Sequence, residues 1–567
     1  MHWMRLRRPR RHDRAARSWQ AAPVVERLEE RRLLSADVLT YHNDNARDGV
    51  NSAETTLTTS NVNSTDFGKL FSYPVDGYVY AQPLIVSNLA MSDNTTHDVV
   101  FVATENDSVY AFDADSNAGS NQSPLWHDSF IDPSAGITTV SSTDTGTGDI
   151  TPQVGITGTP VIDRSTNTLY VVSNTDDNGT FVQQLHALDL SSGAEKFGGP
   201  VTISFSTPGS GYGSSNGEIG FNALIESQRA ALALNNNTVY IAWASHGDNG
   251  PYHGLLAAYD ASNLQLESVL NVTPNNAQGG IWMGGDGPAI DSAGNIFLSV
   301  GNGTFDNNGD WGDSILRIVD SGSSLSVADS FTPFNQQALD DADLDFGSGG
   351  VMLLPTQAGS TPDEAISGGK DGNVYLVNRD DMGGFNGSSN SDLQTTSVGT
   401  NGNGVYDTPA YFNGDVYINA QNGGLEQYPV VNGLLTGPSE ASSESFAFPG
   451  ATPSISSDGA ADGIVWEIEY GSNATLHAYD ASNVSDELYN SNQAGTRDQL
   501  GLGVKFAVPT VANGHIYVGT ATSLDVFGLL NSQTASPPAA ASRLTATSLT
   551  PTEIDLAWTP NSTDAAS

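Results

Sequence analysis

The chain has 567 residues and a formal net charge of −43, with only 15% charged side chains, against about 25% in an average domain. Residues 1–35 hold 10 of the 21 basic and 4 of the 64 acidic side chains, so the remainder, with 11 basic and 60 acidic, carries −49. That field repels nucleic acid and anionic membrane. The lack of cysteine excludes disulfides, thiolate metal sites and thiol catalysis, and no run of about 18 apolar residues reads as a transmembrane helix.

Residues 1–36 read as a basic leader. Arg5, Arg7, Arg8, Arg10, Arg11, Arg14 and Arg17 precede no apolar core, so this is not an ordinary secretory signal. The stretch Pro23-Val-Val-Glu-Arg-Leu-Glu-Glu-Arg-Arg-Leu-Leu-Ser35 resembles the Leu-Glu-Pro-Arg-x-Leu-Leu sorting motif of large exported proteins of planctomycete-like bacteria, with Glu30 where the motif has proline. A short amphipathic helix is the other reading. The resemblance implies export to the cell surface, the extracellular space or a periplasm-like space.

Residues 37–530 repeat one unit: a first strand opening on proline, an Asn-Gly-type turn, an aromatic strand, and an apolar strand ending in aromatic-Asp. Third-strand copies are Val109-Tyr-Ala-Phe-Asp113, Leu185-His-Ala-Leu-Asp189, Leu256-Ala-Ala-Tyr-Asp260, Val374-Tyr-Leu-Val-Asn378 and Leu476-His-Ala-Tyr-Asp480. Second-strand copies include Leu169-Tyr170-Val171, Val239-Tyr240-Ile241, Val416-Tyr417-Ile418 and Ile516-Tyr517-Val518. The period of two and the turns Asn413-Gly414 and Asn513-Gly514 make each unit an antiparallel meander. One meander cannot bury both faces, but meanders stacked around an axis can, so the expected fold is all-β, a β-propeller of about eight four-stranded blades. The units fall near 79–127, 155–196, 221–268, 279–330, 345–395, 404–440, 448–490 and 504–530. The last is one strand short, and Phe67–Pro74 is expected to supply that strand and close the ring. Seven blades with an irregular insert is the alternative.

From Asp37 to Leu530 the chain resembles the pyrroloquinoline quinone (PQQ)-type propellers of quinoprotein alcohol dehydrogenases. The resemblance rests on Tyr41-His-Asn-Asp-Asn-Ala-Arg-Asp-Gly49, on Leu57 and Asn61-Val62, and on the blade element Tyr110 to Ala114. In that family a tryptophan stacks under the quinone, calcium bridges it to Glu, Asn and Asp, a basic residue contacts it and an aspartate is the base. Carried over, Gly279-Gly-Ile-Trp-Met-Gly-Gly285 offers Trp282 for stacking, and Ser299-Val-Gly-Asn-Gly303 offers Asn302 for calcium. Asp343-Leu-Asp-Phe-Gly347 offers Asp345 as base and calcium ligand, and Gly369-Lys-Asp-Gly-Asn-Val-Tyr375 offers Lys370 for the quinone. No glutamate lies in Ala244–His253, where the calcium glutamate belongs; Asp248 or His246 stands in, and aspartate is the better hard-cation ligand. The cofactors so implied are PQQ and calcium.

Each residue has a plainer role beside this one. Asp345 lies among Asp340, Asp341 and Asp343, which also suits a structural calcium loop or a solvated turn. Lys370 can pair with a blade carboxylate, Trp282 can fill a gap between blades, and Asn302 can occupy a left-handed turn. His246 and His253 bracket a Gly/Asn-rich loop, expected to be a turn with exposed tips.

Residues 531–542 read as a Pro/Ala/Ser linker. Residues 543–567 hold two alternating runs around a Thr-Pro turn, the second ending in Trp558. They resemble the A and B strands of a fibronectin type III domain, so a truncated β-sandwich of an unfinished domain is expected after the propeller. The functional expectation is an exported or cell-surface propeller serving as a binding or structural scaffold, with a protein, glycan or small molecule at its mouth. The alternative is a PQQ- and calcium-dependent dehydrogenase of an alcohol or sugar.

Overall fold

The computed structural model describes residues 37–399, 403–530 and the backbone of 542–550 and 553–559. The leader and the linker up to residue 541 lie outside the described residues. Eight antiparallel meanders are present, which excludes the seven-blade alternative. Blade 1 runs through Leu84–Ala90, Thr96–Thr104, Ser108–Asp113 and Trp126–Ser129. Blades 2 to 7 follow within 161–202, 233–271, 289–332, 351–397, 410–441 and 454–490. Blade 8 is composite: Thr510–Ala512, His515–Gly519 and Ser523–Leu529 take Phe67–Pro74 as the outer strand, with Phe67 opposite Leu529 and Pro74 opposite Ser523. The expected ring closure is therefore found. Among the described residues no helix is long and apolar enough to cross a membrane.

The core is divided among the joints between blades. Separate apolar clusters fill the contacts of blades 8, 1 and 2, then 2–3, 3–4, 4–5, 5–6, 6–7 and 7–8. Middle strands are covered on both faces by neighbouring blades, so they read as nearly unbroken apolar runs such as Val99–Ala103.

The two most visible repeat elements act on each other across these joints. The second-strand tyrosine of one blade donates its hydroxyl to the carbonyl just after the third strand of the next. Tyr170 reaches Ala261 O at 2.8 Å, Tyr417 reaches Ala481 O at 2.6 Å, and Tyr517 reaches Ala114 O at 3.2 Å across the closure. The strand-end aspartate meanwhile folds the turn, as Asp260 does by accepting from Ser262 N at 2.7 Å.

Residues 38–51 form a strap that crosses the inner strands in blade order. Val38 exchanges backbone hydrogen bonds with Ile85 in blade 1, and Leu39 O accepts from Ile162 N in blade 2. Asn45 donates through Nδ2 to Leu234 O in blade 3 and accepts through its carbonyl from Ile290 N in blade 4. Ala46, Asp48 and Gly49 accept from Leu353, Tyr411 and Ile455 in blades 5, 6 and 7, and Asn51 Nδ2 donates to Val511 O in blade 8. The winding needs positive φ at His42, Asn43, Arg47 and Gly49. At Gly49, φ is +75° and a Cβ would lie 2.6 Å from His42 Nε2, so only glycine fits.

Beyond the propeller, Ser542–Thr550 and Glu553–Thr559 pair as an antiparallel hairpin.

Candidate functional site

A cavity of about 310 Å³ opens at the mouth of the ring, within the size range of small-molecule sites. Its walls come from two classes of loop. The segments entering first strands supply Asp149, Arg229, Trp282, Asp343, Asp345, Tyr406, Phe448, Lys505 and Phe506; the ends of second strands supply Ser245 to Asp248, and Lys370 follows another. In an antiparallel meander both classes face the same end. The strap bonds lie four to six residues further along several of these first strands, for example Ile290 after Gly284 and Val511 after Phe506. At about 3.3 Å per residue, strap and cavity occupy opposite ends of the inner strands.

Four of the five residues singled out in the sequence line this cavity: Trp282, Asp248, Asp345 and Lys370. Asn302 lies beside it. The Trp282 indole rests over Gly280 and Gly301, where a Cβ would meet the ring at 2.5 and 2.8 Å. Its N–H donates to Ser245 O at 3.0 Å, and Tyr252 packs against it edge-on. Asp345 is buried, so the solvated-turn reading does not describe it; its exposed neighbour is Asp343. Asp345 Oδ1 accepts from Asn302 N at 2.7 Å, and Oδ2 is in close contact with Lys370 Nζ, which also reaches Asp343 Oδ1 at 3.0 Å. The carboxylate pairing foreseen for Lys370 is thus present. Asn302 shows no positive φ and donates Nδ2 to Asp343 at 3.2 Å.

Burial pushes the Asp345 carboxyl above its ordinary range, against the pull of Lys370 and the Asn302 N–H. Burial also works to lower Lys370, but Asp345 and Asp343 outweigh it and hold the ammonium charged. The loop between the two histidines is a turn with exposed tips at Gly247, Asp248, Gly250 and Pro251, as expected, while His246 and His253 themselves are buried. His253 ties loops together through Thr273 O and Tyr212 O, each at 2.9 Å. His246 lines the cavity, and burial lowers it to about 4, which leaves it neutral at pH 7. Its Nε2, Ser245 Oγ and Asn302 Oδ1 are buried without partners among the described residues.

Sequence reasoning missed Arg229, Lys505 and Phe506. Arg229 is buried, with its guanidinium 4.6 Å from the Phe506 ring centroid, 5.3 Å from that of Tyr80, and Nη2 3.4 Å from Gly284 O. Lys505 Nζ lies 5.9 Å from the Phe506 centroid. Burial lowers both cations, and Arg229 lowers Lys505 further. The available signal was the scarcity of basic residues after the leader.

The cavity and the indole fit a flat quinone, and the two cations fit its carboxylates. The calcium donors do not fit a divalent ion as arranged. Asp345 has a donor on each oxygen, and Asp248 Oδ1 accepts from Tyr252 at 2.6 Å. Among the described residues no three His, Asp or Glu side chains are placed to hold one metal.

No family model and no curated protein matches the chain. Solved structures do. The quinohemoprotein alcohol dehydrogenase ADHIIG of Pseudomonas putida HK5 superposes with a TM-score of 0.59 at 14% identity, over 91% of this chain and 84% of that one. The quinohemoprotein alcohol dehydrogenase of Comamonas testosteroni gives 0.56 at 14%, over 88% and 82%. A europium-containing methanol dehydrogenase gives 0.56 at 12%, over 88% and 99%. At these identities the likeness is one of fold.

Proposed function

We propose that this chain is an exported binding propeller whose mouth holds a flat, anionic ligand of the PQQ type. One observation carries the reading. Ten basic side chains are described; eight form ion pairs with carboxylates, and the remaining two, Arg229 and Lys505, share the wall of one cavity. In so acidic a protein, leaving two adjacent cations unpaired favours an anion brought from outside. Trp282 offers a surface for a planar ring system, and His246 Nε2, Ser245 Oγ and Asn302 Oδ1 offer polar contacts. Two of the solved neighbours are named as quinohemoprotein alcohol dehydrogenases, which supports the choice of ligand. Export rests on the leader motif, and the C-terminal hairpin is read as fibronectin type III strands A and B of a surface spacer.

The second reading is catalysis, favoured by the buried carboxylate of Asp345 on the cavity wall. A bound quinone would supply a two-electron acceptor for an alcohol. Asp345 would take the hydroxyl proton on Oδ2 once Lys370 turned from it toward Asp343. Titrating the full chain with PQQ while following tryptophan fluorescence tests the binding reading: saturable quenching at micromolar PQQ is expected, and none would overturn it. A dye-coupled alcohol assay then separates the two readings. Turnover that is lost in Asp345→Asn while quenching persists would establish catalysis.

A further inference from the structure

We infer that the charge of the ligand at this mouth is met by the two unpaired side-chain cations, Arg229 and Lys505, and that the Lys370 ammonium holds Asp343 and Asp345 in place of a divalent metal. This rests on the anionic-ligand reading above and deepens it.

The first support is occupancy. Lys370 Nζ sits between Asp345 and Asp343, beside the Asn302 that donates to Asp343. A metal would have to share these carboxylates with an ammonium that they already hold, and close repulsion between two cations opposes that. The second support is preorganisation. Phe506 adopts φ +64°, a costly conformation for an aromatic residue, and its ring lies near both Arg229 and Lys505. Tyr80 lies near the guanidinium as well. These rings hold two like charges in place where neither finds a carboxylate partner. An incoming carboxylate relieves the repulsion between them, and the interaction is strong because Arg229 is buried. The cavity is therefore built with a fixed ammonium on one wall and a cation pair on another, with Trp282 also lining it.

The test uses the full chain and three probes: PQQ in EDTA, PQQ with CaCl2, and PQQ trimethyl ester, which keeps the ring and lacks the charges. Quenching with the same Kd in EDTA and CaCl2 is expected, as is a loss of affinity of about tenfold or more for the ester, the scale of one charge-assisted hydrogen bond. Lys505→Gln, a half-buried position with no ion pair to break, should weaken PQQ about tenfold and leave ester binding unchanged. Arg229→Gln should do the same more strongly, with circular dichroism checking its fold. Binding that appears or tightens tenfold only with CaCl2 overturns this inference and leaves the ligand reading standing. Equal affinity for acid and ester also overturns it. No quenching under any condition overturns the ligand reading, and this inference with it.

Discussion

At the strap end Arg47 is fully buried and donates to Thr40 Oγ1, Tyr41 O and Pro288 O at 2.8–3.0 Å, with Nε 3.7 Å from Asp286. At the mouth Arg229 has one carbonyl at 3.4 Å and two aromatic rings. His42 differs from His246 in the same way: each of its ring nitrogens faces a backbone carbonyl, Arg47 O at 2.7 Å and Pro453 O at 2.8 Å, and its single N–H donates to one of them, whereas His246 Nε2 has no partner among the described residues. The same residue types thus serve closure where partners are complete and serve a ligand where partners are withheld.

Exchanging the two arginines for neutral residues tests that contrast most severely. Arg47→Met orphans the buried Asp286 and three acceptors, and should lower unfolding free energy by about 3–5 kcal/mol. Arg229→Gln breaks no ion pair and should stay within about 1 kcal/mol in the same denaturation experiment. Equal losses would break the comparison. Gly49→Val attacks the strap through its backbone. Its φ of +75° and the approach of His42 and Ala410 leave no room for a branched side chain, so a loss of about 1–3 kcal/mol is expected. Unchanged stability would mean that the strap can follow another path.

The sequence made the ring legible because each blade repeats its own punctuation. Proline-led first strands, Asn-Gly turns and aromatic-Asp endings are local signals, and even the composite eighth blade followed from a missing strand and a spare one. The mouth was half legible. Trp282, Asp345 and Lys370 are legible through the resemblance of their segments to quinoprotein ones, and the structure uses the glycines nearby, as Gly280 and Gly301 show under the indole. Arg229, Lys505 and Phe506 carry no local motif. They lie some 276 residues apart in sequence and meet only because blades 3 and 8 both point their entry loops at the axis. The strap was recognised by its residues but not by its role, since its partners are spread over all eight blades.

Between the two ends lie carboxyls that burial raises to about 7: Glu105, Asp286, opposed there by Arg47, and Asp407. The folded protein keeps protons that the unfolded chain releases near pH 4, so their stabilisation is full below about pH 4 and is lost as pH rises through 7. The thermal midpoint should be higher at pH 5 than at pH 8, and repulsion among the surface acids acts in the same direction. Asp407→Asn removes one axial proton site and should narrow the gap; an unchanged gap would show that Asp407 contributes none of it.

The smallest expected effect lies on neither end. Tyr517→Phe deletes the hydroxyl that joins blade 8 to Ala114 O, and Tyr170→Phe deletes its counterpart between blades 2 and 3. Each should cost about 1 kcal/mol, the net worth of one hydrogen bond with the ring left in place. Neither residue lines the cavity, so PQQ quenching should be unchanged. The closure joint already has Thr510 Oγ1 on Pro83 O at 2.7 Å and Asn513 Nδ2 on Asp98 at 2.9 Å, besides the strap. With those bonds in place the two variants should be equivalent. A loss several-fold larger for Tyr517→Phe would make the closure the weak seam of the ring, and would show that the strap alone does not hold blades 8 and 1 together.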